Sequence, residues 1–213
     1  MKPRARIAVA LPSATLLFSF SMFALSAFSS YHHLKNAEQP GTNYISIGQF
    51  AFPKNRLPWI VLTGTAIEVH GPIAGFNVPG VAIDGLAKSM LGRYGSWSQD
   101  RLGLHLWRVL TSPLLALPAW WFVGRGFDGL AGNARMRRLD LIVGSALSII
   151  ACVLSAGLRF GLSDSEREGQ DSLTWFIGGL ALWTLLFAIP AIAWVRAKIK
   201  QSRAEKGNSP AVA

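Results

Sequence analysis

Four stretches of this chain carry no ionisable side chain, and each approaches the length of a bilayer crossing. They run from Ile7 to Phe28, Val109 to Val123, Leu141 to Leu158 and Ser172 to Val195. A helix needs about 20 mostly apolar residues to cross a ~30 Å hydrocarbon core. The first, third and fourth stretches meet that length as they stand. The second meets it when extended through residues 102–108, with His105 and Arg108 near the headgroups. Its two prolines, Pro113 and Pro118, are tolerable in a membrane helix at the cost of a kink, because neighbours and water can satisfy the freed carbonyls. One apolar run of 10–14 residues fits a buried core helix. Four runs near 20 in 213 residues do not fit a soluble core.

Composition agrees. The chain is 51% hydrophobic and only 15% charged, yet its net charge is +10; soluble domains carry about 25% charged residues. A single cysteine excludes an intramolecular disulfide framework. The bases are placed unevenly. Lys2, Arg4 and Arg6 precede the first span; Arg125, Arg135, Arg137 and Arg138 lie between the second and third; Arg196, Lys198, Lys200, Arg203 and Lys206 follow the fourth. These regions hold twelve bases and three acids, against nine and eight in residues 29–108 and 159–171. Short loops rich in Lys and Arg stay cytoplasmic, so both termini are expected inside. The basic tail has no interleaved aromatics beyond Trp194, which speaks against a nucleic-acid partner. Trp107, Trp120, Trp121, Trp175 and Trp194 are expected as interfacial anchors, since tryptophan concentrates at membrane–water boundaries, and Trp183 is expected to pack between helices.

Residues 1–28 also have the form of a secretory signal, with small residues Ala24 and Ser26 near a cleavage point. The apolar stretch is longer than the usual 7–15 residues, which favours an uncleaved anchor. The expected organisation is therefore all-α: spans over 7–28, 102–123, 141–158 and 172–195, an extracytoplasmic segment of ~70 residues over 29–101, a cytoplasmic loop over 124–140, an outer loop over 159–171 and a basic tail over 196–213.

Within the outer segment, residues 39–43 read as a turn and residues 94–98 as a flexible link. The β-branched residues Ile60, Val61, Thr63, Thr65, Ile67 and Val69 favour a strand over a helix lying on the membrane. Residues 81–91 read as a short amphipathic helix. Its apolar face holds Ala82, Ile83, Leu86, Ala87, Met90 and Leu91; Asp84, Lys88 and Ser89 lie opposite. Gly124-Arg125-Gly126 reads as a helix stop and turn rather than a nucleotide-binding glycine motif.

Candidate chemistry is sparse. On a strand, Glu68 and His70 would share a face, and with His32 and His33 they are the residues from which a Zn²⁺ or Cu²⁺ site or a general base could be built. The spans hold no central ionisable residue of the kind proton relays need. The clearest signal is a small-residue seam on the third span, Gly144, Ser145, Ser148, Cys152 and Ser155, which lets helix backbones approach closely. It makes that span the expected centre of the bundle or a dimer contact. The expectation is a non-enzymatic inner-membrane protein, without a cofactor, whose partners are the lipid bilayer and a second copy or other membrane proteins. The alternatives are an envelope enzyme or metal-handling protein using Glu68 and His70, and a transporter subunit whose polar pathway lies in another chain.

Overall fold

The computed structural model describes residues 6–36, 44–47, 50–91, 101–161 and 171–207. The turns expected at 39–43 and 94–98, Lys2, Arg4 and most of the acidic loop before Asp171 fall outside them. The described residues are almost entirely helical: α1 (Ile7–Asn36), α2 (Leu57–Phe76), α3 (Val78–Leu91), α4 (Arg101–Leu115), α5 (Leu117–Leu130), α6 (Arg138–Gly161) and α7 (Asp171–Gly207). A small antiparallel hairpin, β1 (Tyr44–Ile47) with β2 (Phe50–Pro53), is the one addition to the all-α expectation, with Tyr44 opposite Pro53 and Ile47 opposite Phe50. Four stretches are long and apolar enough to cross a membrane: Ile7–Lys35, His105–Leu130, Arg138–Gly161 and Leu173–Glu205. The second of these passes from α4 to α5 across a break at Ala116, where Pro118 has no N–H to offer the carbonyl of Leu114.

The chain divides into two compact units, residues 16–116 with 171–176, and residues 1–15 with 117–170 and 177–213. In the first, the segment expected as a strand is the 20-residue helix α2. Strand propensity loses to packing here: Val61, Thr65, Val69 and Ile73 recur every four residues and are all buried, and such tertiary fit overrides intrinsic preference. Ala66, Val69 and Ile73 meet Leu106 and Val109 of α4, with Met22 and Phe23 of α1 against them. Leu57 and Val61 pack with Ala27 and Leu34, so α2 runs antiparallel to the second half of α1. The chain then reverses at Asn77, which is fully buried. The Asn77 Nδ2 group donates to Ser19 Oγ at 3.1 Å and to the Ile73 carbonyl at 3.0 Å. Its own carbonyl accepts from the amides of Gly80 and Val81, which starts α3. His70 lies on His105, Gly80 lies on Ser112, and Asp84 reaches back to Trp107 and Arg108. α2 therefore advances along α4, and α3 returns. A side chain at Gly80 would overlap the Ser112 carbonyl, so only glycine lets α3 close on α4.

In the second unit, the N-terminus of α1 is capped by a residue more than a hundred positions away. Asp128, 3% exposed, accepts from the amides of Ile7 and Ala8 through its two carboxylate oxygens, each at 3.0 Å. The first amides of any helix lack intrahelical partners, and a carboxylate there also meets the positive end of the helix dipole. Gly124, one turn earlier on α5, makes the approach possible: a Cβ would stand 2.7 Å from the Ala8 Cα. Gly126 faces Pro190 of α7 in the same way. The helix stop expected at Gly124–Gly126 is thus corrected: both glycines are mid-helix, kept small for neighbouring backbones. α5 ends later, where Gly132 takes a φ of 77° and its amide donates to Gly129.

Asp128→Ala should leave the part-buried Ile7 amide and the buried Ala8 amide without their carboxylate partner. Hydrogen bonds to a charged acceptor are each worth about 1.5–3 kcal/mol, so a loss of roughly 2–4 kcal/mol is expected. Thermal unfolding in mild detergent reads it; an unchanged midpoint would remove Asp128 as the cap of α1.

Candidate functional site

In the first unit α2, α3 and α4 bring together a part-buried polar cluster. Asp84 is its centre, only 3% exposed. Trp107 Nε1 donates to Asp84 Oδ1 at 3.1 Å, and Arg108 Nε stands 3.9 Å from Oδ2. That second distance is an ion pair, too long for a hydrogen bond. The polar side of amphipathic α3 is the covered one: Asp84 points inward while Ile83 and Leu86 are exposed. The carboxylate can be inside because Arg108 and Trp107 meet it there. Arg108 is held by Asp84, where the sequence suggested a side chain reaching for headgroups.

His70 and His105 join the same cluster, ring centroids 4.8 Å apart and nearly perpendicular. Burial pushes the His70 imidazole down to about 4, and His105 and Arg108 add to the effect. A neutral imidazole keeps one nitrogen as donor and the other as acceptor. His70 Nε2, His105 Nδ1 and Arg108 Nε are buried without a hydrogen-bond partner. Glu68 does not share this site. It is exposed, since two residues on a helix point about 200° apart, whereas a strand would have put them together. His32 and His33 are exposed on α1, with His32 against Phe28 and Tyr31. Among the described residues no three His, Cys, Asp or Glu side chains group as metal ligands.

The small residues of α6 act in the second unit. A Cβ at Gly144 would stand 2.8 Å from the Phe187 carbonyl of α7. Ser148 Oγ donates to the Thr184 carbonyl at 2.7 Å, and Ser155 Oγ to that of Ile177 at 3.3 Å. Ser145 is half-buried. Cys152 is exposed, and the inward position beside it belongs to Ala151. The seam thus follows 144, 148, 151 and 155, closer to the 3.6-residue repeat than a strict step of four. α6 is no central helix: only Asp140, Gly144 and Ala151 are buried along it. Asp140 holds the start of α6, accepting from the Arg137 amide at 2.6 Å and from Arg125 at 3.4 Å.

The tryptophans divide. Trp121 and Trp175 are exposed and Trp194 is half-buried; Arg125 lies over the Trp121 ring. Trp120, in contrast to the anchor expected, is buried against Trp183, which is itself fully enclosed and touches Phe187. Trp107 spends its N–H on Asp84. Asp84, Asp128 and Asn77 were not singled out by their sequence context, because their partners lie 23 to 121 residues away. No protein-family model matches the chain, and no curated protein or solved structure matches it.

Leucine at Gly144 or Ser148 should force α6 from α7, at a cost of about 1–3 kcal/mol each. Leucine at exposed Cys152 should change stability by less than about 0.5 kcal/mol. Melting midpoints in detergent separate the two, and Cys152→Leu being as damaging as Ser148→Leu would place the seam on the other face.

Proposed function

We propose that this chain is an integral protein of the bacterial inner membrane, with both termini cytoplasmic, that works by associating with membrane proteins or with a second copy of itself rather than by catalysis. The observation that carries the reading is the outer surface of α6. Only 11% of its apolar window is buried, and Leu139, Ile142, Ile149, Val153 and Phe160 all face outward. Soluble monomers rarely expose apolar patches beyond a few hundred Å²; lipid or another helix removes that cost. The bias of bases toward 1–6, 124–140 and 196–213 supports the orientation. The small residues Cys152, Ala156 and Gly157 lie on the exposed side of α6, with open space beside Gly157, and would let a further helix approach. Ser148 and Ser155 are already engaged with α7.

A second reading rests on the ring nitrogens of His70 and His105 that lack a hydrogen-bond partner, with the Asp84-paired Arg108 beside them. They would suit a small ligand bearing acceptor oxygens, or a metal taken up by the two imidazoles with help from the ligand itself. Purified protein titrated with Zn²⁺, Cu²⁺ or small carboxylates should then show a stabilising shift that His70→Ala and His105→Ala abolish. No shift with any of them would retire this reading.

In-membrane crosslinking, mild-detergent purification and mass spectrometry test the first. A stoichiometric membrane partner or a homo-oligomer is the expected outcome. A lone monomer would overturn association, and cysteine labelling of residues 196–207 from the outside would overturn the orientation.

A further inference from the structure

Beyond the Gly144 contact, α6 and α7 leave between them a groove of ≈ 700 Å³. Leu141 and Ser145 of α6 form one wall; Ile192, Val195 and Ile199 of α7 form the other. Arg196, Lys200 and Arg203 of α7 line the same groove, with Ile199 between the first two along the helix. Their spacing of four and three keeps them on one helical face. α7 has 37 residues, roughly 55 Å of helix against a ~30 Å hydrocarbon core. Trp175 and Trp194 are separated by roughly 28 Å of helical rise, close to that core thickness. With both at the boundaries, the three bases follow within about 3 to 14 Å, the depth of lipid phosphates and just beyond. Glu205 does not neutralise them: it accepts from Gln201 at 3.1 Å on another face, where Lys198 also reaches Gln201. Among the described residues no acid pairs with Arg196, Lys200 or Arg203.

We propose that this groove holds one anionic phospholipid of the cytoplasmic leaflet, an acyl chain against Leu141, Ile192 and Val195 and its phosphate on Arg196, Lys200 and Arg203. An apolar trough that is also lined by three uncompensated bases matches an amphiphile with a negative head. Basic pockets between membrane helices on the cytoplasmic side recognise such lipids. A soluble anion would use the bases and leave the trough empty; an apolar peptide would leave the bases unmet. The proposal rests on the membrane reading above.

The test uses the full chain in mild detergent, titrated with phosphatidylglycerol or phosphatidylcholine and read by native mass spectrometry. The wild-type chain should retain one phosphatidylglycerol in preference to phosphatidylcholine. Neutralising the bases as Arg196→Gln, Lys200→Gln and Arg203→Gln should weaken retention about five-fold each and on the order of a hundred-fold together. Ser145→Leu, which fills the trough without touching a charge, should weaken it too, whereas Lys198→Gln on the other face should not. Equal retention of the two lipids, equal loss with Lys198→Gln, or displacement by millimolar glycerol phosphate would overturn the proposal. Melting midpoints of the variants verify that each is folded. Carbonate washing of membranes keeps the two readings apart: a chain that stays in the membrane but shows no lipid preference loses only the groove, and one that washes out loses the membrane reading.

Discussion

Apolar side chains in this protein point outward about as readily as inward, so burying apolar surface does little to choose its arrangement. Leu17, Leu25, Phe28, Ile149, Phe160 and Leu185 are all exposed. For helices that lie in lipid, as proposed for this chain, there is no hydrophobic advantage in meeting each other, and association depends on close backbone approach and on polar contacts. Both are concentrated at few places here. Asp128 caps α1, Asp140 ties the start of α6 to Arg125, and Asp84 ties α3 to α4. Gly80, Gly124, Gly126 and Gly144 stand where a Cβ would meet another helix. A carboxylate in an apolar surrounding is costly unless it is met by donors, so each of these residues admits only one or a few arrangements of its neighbours.

Polar contacts of this kind also separate structural groups from groups left open. Asp128 and Asp140 are met by backbone amides within 3.0 Å. One ring nitrogen each of His70 and His105 is buried without a hydrogen-bond partner, beside the Asp84–Arg108 ion pair. Arg196, Lys200 and Arg203 are a different case, exposed and aligned by a helix that continues past its apolar part. The first group holds the fold, and the other two carry the ligand and lipid proposals made above.

Composition is legible along this chain, whereas the direction in which a side chain points is not. The apolar runs and their charge-free lengths are local properties; the first, third and fourth each coincide with one long helix, and the second with α4 and α5 together. Their ends were harder: the second stretch reaches Leu130, because Gly124 and Gly126 continue the helix instead of ending it. The strand expected at 58–69 rested on β-branched residues, whose preference vanishes once one face of a helix is packed against α1 and α4. The amphipathic pattern of α3 is legible in the sequence, but which face is covered is set by Trp107 and Arg108, distant in the chain, which meet Asp84. The seam on α6 was visible as a pattern of small residues, but Cys152 and Ala151 differ by one position, and only the partner helix says which of them is covered.

The amino-acid sequence by itself determined that the chain forms long apolar helices and that its bases gather in three regions, because length, hydropathy and charge are sums over neighbouring residues. The tertiary structure alone decided which acid caps which helix, where the chain reverses at Asn77, and which tryptophans are enclosed. Those outcomes depend on pairs far apart in the chain, Asp128 with Ile7, Asn77 with Ser19 and Asp84 with Trp107. Short-range, directional contacts of that sort exist only after the helices have met, so no local pattern records them.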